Sequence, residues 1–280
     1  MSLDACEADR SSSPSRPVKS GHAGWLGSDG SWPAIVEPVT AEPEPATRRP
    51  VLRQSWAELA YFHWPYAPSE VQDLLPSGLQ VDTFDGQAWV GLIPFEMQQV
   101  RVASSPVVPW LGSFLEINVR TYVVDEVGRR AVWFFSLDVP RSAVVTVART
   151  MFGLPYCWSH ASHSTEGNQH RYQMNRRWPR HDPASADMSF TVGAAIPNAE
   201  LTDFDHFLTA RWALITQRRG RLQYGGVNHP RWPLHRVEDV QIDQSALEAA
   251  GLSSPNGKPH SLYSPGVDVE IAWLEAVGHG

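Results

Sequence analysis

The stretch from Phe84 to Leu137 constrains this chain more than any other. It opens on the turn Phe84-Asp85-Gly86 and runs through Ala88-Trp89-Val90-Gly91-Leu92-Ile93-Pro94-Phe95. An alternating segment from Phe114 to Val124 and an aromatic, β-rich segment from Arg130 to Leu137 follow. Glu126-Val127-Gly128 separates the last two. That connection is too short for a crossover helix, so the strands it joins are antiparallel. Beyond them, Ser142 to Phe152 has the spacing of a helix leading into Gly-Leu-Pro. Further strands are expected at Gln169 to Arg177, Met188 to Val192, Ala213 to Thr216, Arg221 to Asn228 and Leu234 to Val240. Short helices are expected after Thr202 and Asp203 and from Ser245 to Ala250. Upstream, Trp56, Leu59, Ala60 and Phe62 recur at helical spacing between Gln54 and Phe62, and Ser69 reads as the N-cap of a helix from Glu70 to Leu75. Many strands with a few short helices give an α+β, mainly β fold: a curved antiparallel sheet or β-barrel with peripheral helices.

Residues 1–50 are rich in Ser, Pro, Gly and Glu without apolar periodicity, and are expected to form a flexible low-complexity tail. They lack the apolar core of a secretory signal. Residues 51–280 show neither repeat nor break and are expected to form one domain. No apolar run is long enough to cross a bilayer, so no membrane association is expected. The net charge of -7 comes without a basic stripe to neutralise phosphates, which argues against a nucleic-acid partner. Cys6 and Cys157 lie too far apart in sequence to suggest a disulfide framework, which fits the cytoplasm. Self-association as a homo-oligomer is left open. Of the 23 basic residues only Lys19, in the tail, and Lys258, after the turn sequence Ser-Pro-Asn-Gly, are lysines. Neither is placed to be a desolvated amine nucleophile. There is no Gly-x-Ser-x-Gly elbow, phosphate loop or dinucleotide fingerprint, and no cofactor is expected.

Several longer motifs point to a family. They include Phe62-His63-Trp64-Pro65, Asp82-Thr83-Phe84-Asp85-Gly86-Gln87-Ala88-Trp89-Val90-Gly91, Glu116-Ile117-Asn118-Val119-Arg120-Thr121-Tyr122-Val123, Trp133-Phe134-Phe135-Ser136-Leu137-Asp138, Phe207-Leu208-Thr209-Ala210-Arg211-Trp212 and His229-Pro230-Arg231-Trp232-Pro233-Leu234. Over roughly residues 51–274 the chain resembles the YqjF-like family of bacterial proteins of unknown function. That family is similar in turn to the acetoacetate decarboxylase-like superfamily, which implies a cone-like antiparallel β-barrel with helices packed around it. The superfamily's order of a glutamate-bearing strand, a return strand, a helix and then Gly-Phe-Pro-Lys-Lys is matched here by Glu116, Leu137-Asp138, Ala148-Arg149 and Gly153-Leu154-Pro155-Tyr156-Cys157. The two lysine positions are Tyr156 and Cys157. A phenol or a thiol cannot form the Schiff base on which such decarboxylation depends, so the resemblance implies the pocket without that chemistry.

Within the pocket so implied, Glu116, Asn118 and Arg120 share one strand face by alternation. They either line a polar pocket or form a solvated face, and Glu116 and Arg120 either bind a polar ligand or pair with each other. Tyr156 stands at a lysine position as a hydrogen-bond donor or as filler. Arg149 points to the same pocket or caps its helix. His63 is a further candidate, as a half-buried histidine or a base, and His229 reads the same way. Cys157, His160, His163 and His170 lack a second ligand pair at zinc-site spacing, and no metal is expected. The chain is thus expected to bind a small carbonyl or carboxylate compound in a barrel. Two alternatives stand beside this: a lyase, hydratase or isomerase using Glu116 as acid/base, and a structural protein with a filled barrel.

Overall fold

The structure, a computed structural model, describes residues 33, 35–43, 50–102 and 112–277. Strands dominate. The first, β1 (Pro50–Tyr66), is followed by α1 (Pro68–Gln72), β2 (Leu79–Val81), β3 (Thr83–Phe84), β4 (Gln87–Val102), β5 (Phe114–Asp125) and β6 (Arg130–Val139). Next come α2 (Ser142–Phe152), β7 (Tyr156–Glu166), β8 (Gln169–Trp178) and β9 (Ser185–Ala195). After a 3-10 turn the chain continues with α3 (Asp203–Thr209), β10 (Ala213–Arg218), β11 (Arg221–Asn228), β12 (His235–Gln244), α4 (Ala246–Ala249), β13 (His260–Ala272) and β14 (Glu275–Ala276). Among the described residues, no helix is long and apolar enough to cross a membrane.

The strands form one sheet that closes on itself. Nine of them, β6-β7-β8-β9-β12-β13-β1-β4-β5, make a ring sealed by the β5–β6 pairing. A second path from β6 to β13 runs through β10 and β11, so β6 and β13 each serve two branches. The expected barrel is therefore a forked ring. It is also not antiparallel throughout, since β6 pairs in parallel with both β7 and β10. The reason is local: α2 lies between β6 and β7 in the chain, and a strand–helix–strand crossover returns the chain in the same direction.

Two expected helices differ from the structure. Gln54 to Phe62 belongs to β1, not to a helix. Two register shifts interrupt its pairing with β4, and Glu58 sits at φ 51°, so an inserted residue breaks the two-residue alternation into spacings of three and four. From Leu59 to Trp64 every residue is buried, which removes the polar half of the strand pattern. Pro65 falls past the last pairing with β13, where β1 has one neighbour and a proline is tolerated. The second helix, α1, exists but starts earlier, with Ala67 at its N-cap and Pro68 in the first turn rather than Ser69 as cap. β7 runs without interruption to Glu166, and only Gly167-Asn168 turns, between Glu166 and its partner Gln169. By contrast α2 has the expected bounds. Thr202 caps α3 in a reciprocal box with Asp205, and Asp85 and Gly86 both take positive φ in the β3–β4 turn.

Residues 35–43, assigned to the tail by composition, run along the folded domain. Glu37 N–H donates to Gly128 O at 2.8 Å, Arg130 Nε donates to Glu37 O at 2.6 Å, and Trp212 Nε1 donates to Thr40 O at 3.2 Å. Residues 1–32, 34 and 44–49 of the expected tail lie outside the described residues.

Candidate functional site

The forked ring positions the site through β5. Its burial is nearly continuous on both faces. Ile117 and Val119 pack into the main apolar core, while Glu116, Asn118, Arg120 and Tyr122 take the opposite face. A cavity of about 70 Å³ opens on that face. Its wall includes Glu116 and Arg120 from β5, Tyr61 and Trp56 from β1, Tyr156 at the start of β7, and Arg211. By size it takes a few water molecules or a small organic molecule.

The chain reaches Tyr156 through a fixed turn. Gly153 ends α2 at φ 68°, and a Cβ there would stand 2.8 Å from Gln217 O, so the left-handed step needs glycine. Thr216 Oγ1 holds Gly153 O at 2.9 Å, and Leu137 N–H donates to Pro155 O at 3.1 Å. The Tyr156 hydroxyl then donates to Glu116 Oε2 at 2.9 Å, and Asn118 Nδ2 donates to Glu116 Oε1 at 3.2 Å. Burial pushes the Glu116 carboxyl up to about 7, against the two hydrogen bonds that favour its ionised form. Burial also pushes the Tyr156 phenol well above its ordinary range, with the Glu116 charge adding to the effect. Tyr156 is therefore a donor to the carboxyl and not a base.

Arg120 is 8% exposed, and among the described residues no carboxylate lies within salt-bridge distance of it. Its guanidinium rests over the Tyr61 and Tyr122 rings at 5.5 and 5.8 Å, and its Nε has no hydrogen-bond partner. Three further buried donors without partners belong to the same wall: Tyr61 Oη, Trp56 Nε1 and Arg211 Nη2. Buried donors are rarely left unpaired, and each costs about 1–3 kcal/mol. Arg211 is otherwise well held. Its Nε donates to Phe207 O at 2.8 Å and its Nη1 to Asp82 Oδ2 at 2.6 Å, and Arg130 shares that carboxylate.

The structure brings Glu116, Arg120 and Tyr156 to one cavity, with Asn118 buttressing Glu116. His63 stands one layer back, fully buried. Its Nε2 lies 2.6 Å from Tyr122 Oη, whose one proton goes to Leu208 O, and its ring occupies the space a Cβ on Gly91 would need. Burial holds the imidazole well below its usual range, so it is neutral. Arg149 is not in the wall. It is exposed, donates through Nη1 to Tyr156 O at 2.7 Å and lies 4.7 Å over the Trp178 ring, bracing Tyr156 from outside. His229 does line the cavity, with burial pushing it down to about 4. Sequence reasoning missed Tyr61 and Trp56 because β1 reads as a helix. Arg211 was visible only as part of a family motif. His163 and His170 meet each other at 3.2 Å and the glutamates Glu96 and Glu58, but among the described residues no group of three or more side chains is placed to hold a metal ion. Lys258 is exposed, away from the cavity.

The raised Glu116 carboxyl has a definite pH signature. Its value when unfolded is near 4.5 and when folded about 7, so stability is full below 4.5 and falls as pH rises through 7. The gap corresponds to about 3 kcal/mol above pH 8. Glu116→Gln is expected to be more stable than the parent by about that amount at pH 8 and equal to it near pH 4.5. Urea unfolding of both proteins at the two pH values checks this; parallel pH profiles contradict it.

Residues 53–268 match DUF2071, a family of uncharacterized conserved proteins. The uncharacterized protein YqjF of Bacillus subtilis (strain 168) is 32% identical over 219 residues, covering 78% of this chain and 89% of that one. Among solved structures, an acetoacetate decarboxylase-like enzyme from Sphingomonas wittichii RW1 superposes with a TM-score of 0.59 at 14% identity, covering 81% of this chain and 93% of that one. Acetoacetate decarboxylase from Legionella pneumophila superposes with a TM-score of 0.59 at 11% identity, with coverages of 85% and 92%. The enduracididine biosynthesis enzyme MppR, complexed with pyruvate, gives 0.57 at 14%, with coverages of 84% and 94%. The fold is acetoacetate decarboxylase-like.

Proposed function

This chain belongs to the DUF2071 family of uncharacterized conserved proteins, and on that premise we propose that it binds a small organic carboxylate, best a carbonyl-bearing acid, in the inner cavity without a covalent bond to lysine. One observation carries the reading: four buried donors without partners, on Arg120, Arg211, Tyr61 and Trp56, belong to the wall of a single cavity. A carboxylate supplies acceptor lone pairs to several donors at once and neutralises the unpaired Arg120, and charge-assisted bonds of this kind are the strong ones. A carbonyl oxygen beside it accepts from a further donor. The pyruvate complex of MppR is a related precedent on the same fold. The test is thermal unfolding with small carboxylic and 2-oxo acids, since a ligand that binds only the folded state raises Tm. No shift with any of them removes the reading.

The mode of binding has its own test. With tyrosine and cysteine at the two lysine positions, borohydride added with pyruvate is expected to trap no adduct, so the intact mass stays unchanged. A mass gain on Lys258 or Lys19 would falsify noncovalent binding.

A second reading is supported by the Glu116 carboxyl at about 7 and its bond from Tyr156. An acid/base group works best with a pKa near the working pH. In a lyase, hydratase or isomerase, Glu116 exchanges the proton while Arg120 offsets charge developing on the substrate. Glu116→Gln retaining full turnover on an identified substrate rules that role out.

A further inference from the structure

A second cavity, of about 310 Å³, shares two wall residues with the inner one, Arg211 and Val227. Arg211 belongs to both walls and keeps its Nη2 without a partner. The outer cavity is bounded by residues 37–43 on one side and by Trp212, Tyr224 and Trp273 on the others. Thr40 fixes Trp212 there, accepting from its indole N–H through O at 3.2 Å and Oγ1 at 3.1 Å. The Trp212 ring lies 4.6 Å from that of His229, which lines the inner cavity. The acidic groups of the outer wall are Glu37, Glu270 and Glu275, whereas Arg130 and Arg211 are both engaged by Asp82.

From this shared wall we infer that the two cavities take one ligand, a carboxylate with an uncharged, apolar tail of several carbons. The head sits at Arg120, and the tail passes Arg211 into the outer cavity between Trp212 and residues 37–43. This rests on the reading of the inner cavity as a carboxylate site, and adds to it a substrate class. The inner cavity is too small for more than a head group. Aromatic and proline side chains outside it reward each buried methylene by about fourfold in affinity. Glu270 is paired with Arg53 at 2.8 Å, and the wall's two arginines are both held by Asp82, so the outer wall offers no arginine clear of Asp82 to a second negative charge at the tail's end.

The experiment is calorimetric titration of the full-length protein with pyruvate, 2-oxopentanoate, 2-oxooctanoate and 2-oxoglutarate. Kd is expected to fall by up to about 1000-fold from pyruvate to 2-oxooctanoate, about fourfold for each of the five added methylenes that is buried, with 2-oxoglutarate weaker than 2-oxopentanoate. Trp212→Ala is expected to flatten the series. Trp273→Ala, at an exposed position that places little demand on folding, is expected to do the same in part. Equal affinity along the series, or 2-oxoglutarate binding tightest, overturns the tail while leaving the inner site standing. No heat with any of the four acids overturns the inner-site reading and the tail with it.

Discussion

Arg120→Met is expected to weaken carboxylate binding by about 100-fold while leaving the unliganded protein no less stable than the parent. Loss of one or two hydrogen bonds to a charged group, worth about 1.5–3 kcal/mol each, accounts for the first effect. The second follows from the absence of a carboxylate within salt-bridge distance of Arg120 among the described residues. A buried charge without a partner is costly, and a methionine of similar length removes that cost while keeping most of the packing on Tyr61 and Tyr122. The cation–π contacts, worth about 2 kcal/mol at a buried site, and a long hydrogen bond from Arg120 Nη2 to Tyr122 Oη at 3.5 Å are lost in exchange. Calorimetry with pyruvate and urea unfolding of the two proteins check both parts. A variant that unfolds much more readily would assign Arg120 to the scaffold, and one that binds as the parent does would remove it from the site.

The opposite behaviour is expected of Asp138→Asn. Asp138 on β6 receives Arg176 Nε at 2.8 Å and Nη2 at 2.6 Å, and Ser159 Oγ at 2.6 Å. Both members of the pair are buried, and the pair reaches from β6 over β7 to β8 beside Tyr156. Removing one partner leaves the Arg176 charge buried alone, which costs about 3–5 kcal/mol. Folded domains have about 5–15 kcal/mol in all, so the variant approaches unfolding at physiological temperature. Asp138→Leu combined with Arg176→Met is expected to recover most of the loss, because neither charge then remains. Urea unfolding of the three proteins is the measurement. A single variant within 1 kcal/mol of the parent contradicts the structural role.

Much of the fold was legible where one physical signal acted alone. The β4–β6 strands alternate or run as β-branched and aromatic stretches, α2 ends on a glycine, and α3 carries its own capping box. Sequence reasoning failed where tertiary burial overrode the local pattern. In β1 a bulge at Glu58 and burial on both faces turned a strand into an apparent helix, which hid Tyr61 and Trp56. In β7 the polar run from Ser162 to Glu166 concealed a strand whose partners hold it in place. The β6–α2–β7 crossover made parallel a joint that short turns elsewhere keep antiparallel. For the site, Glu116, Arg120 and Tyr156 were legible through the strand face and the motif after α2. Arg211 was not, since its place in the wall depends on the Asp82 carboxylate 129 positions away in sequence.

The central claim is that Arg120 and its unpaired neighbours receive a carboxylate in the inner cavity. A crystal structure of the protein with a bound 2-oxo acid tests it most directly. The account predicts carboxylate oxygens within hydrogen-bonding distance of Arg120 Nε and Tyr61 Oη, with Glu116 and Tyr156 facing the carbonyl carbon and no bond to a protein atom. An acid found elsewhere on the protein, or joined covalently to a side chain, contradicts it.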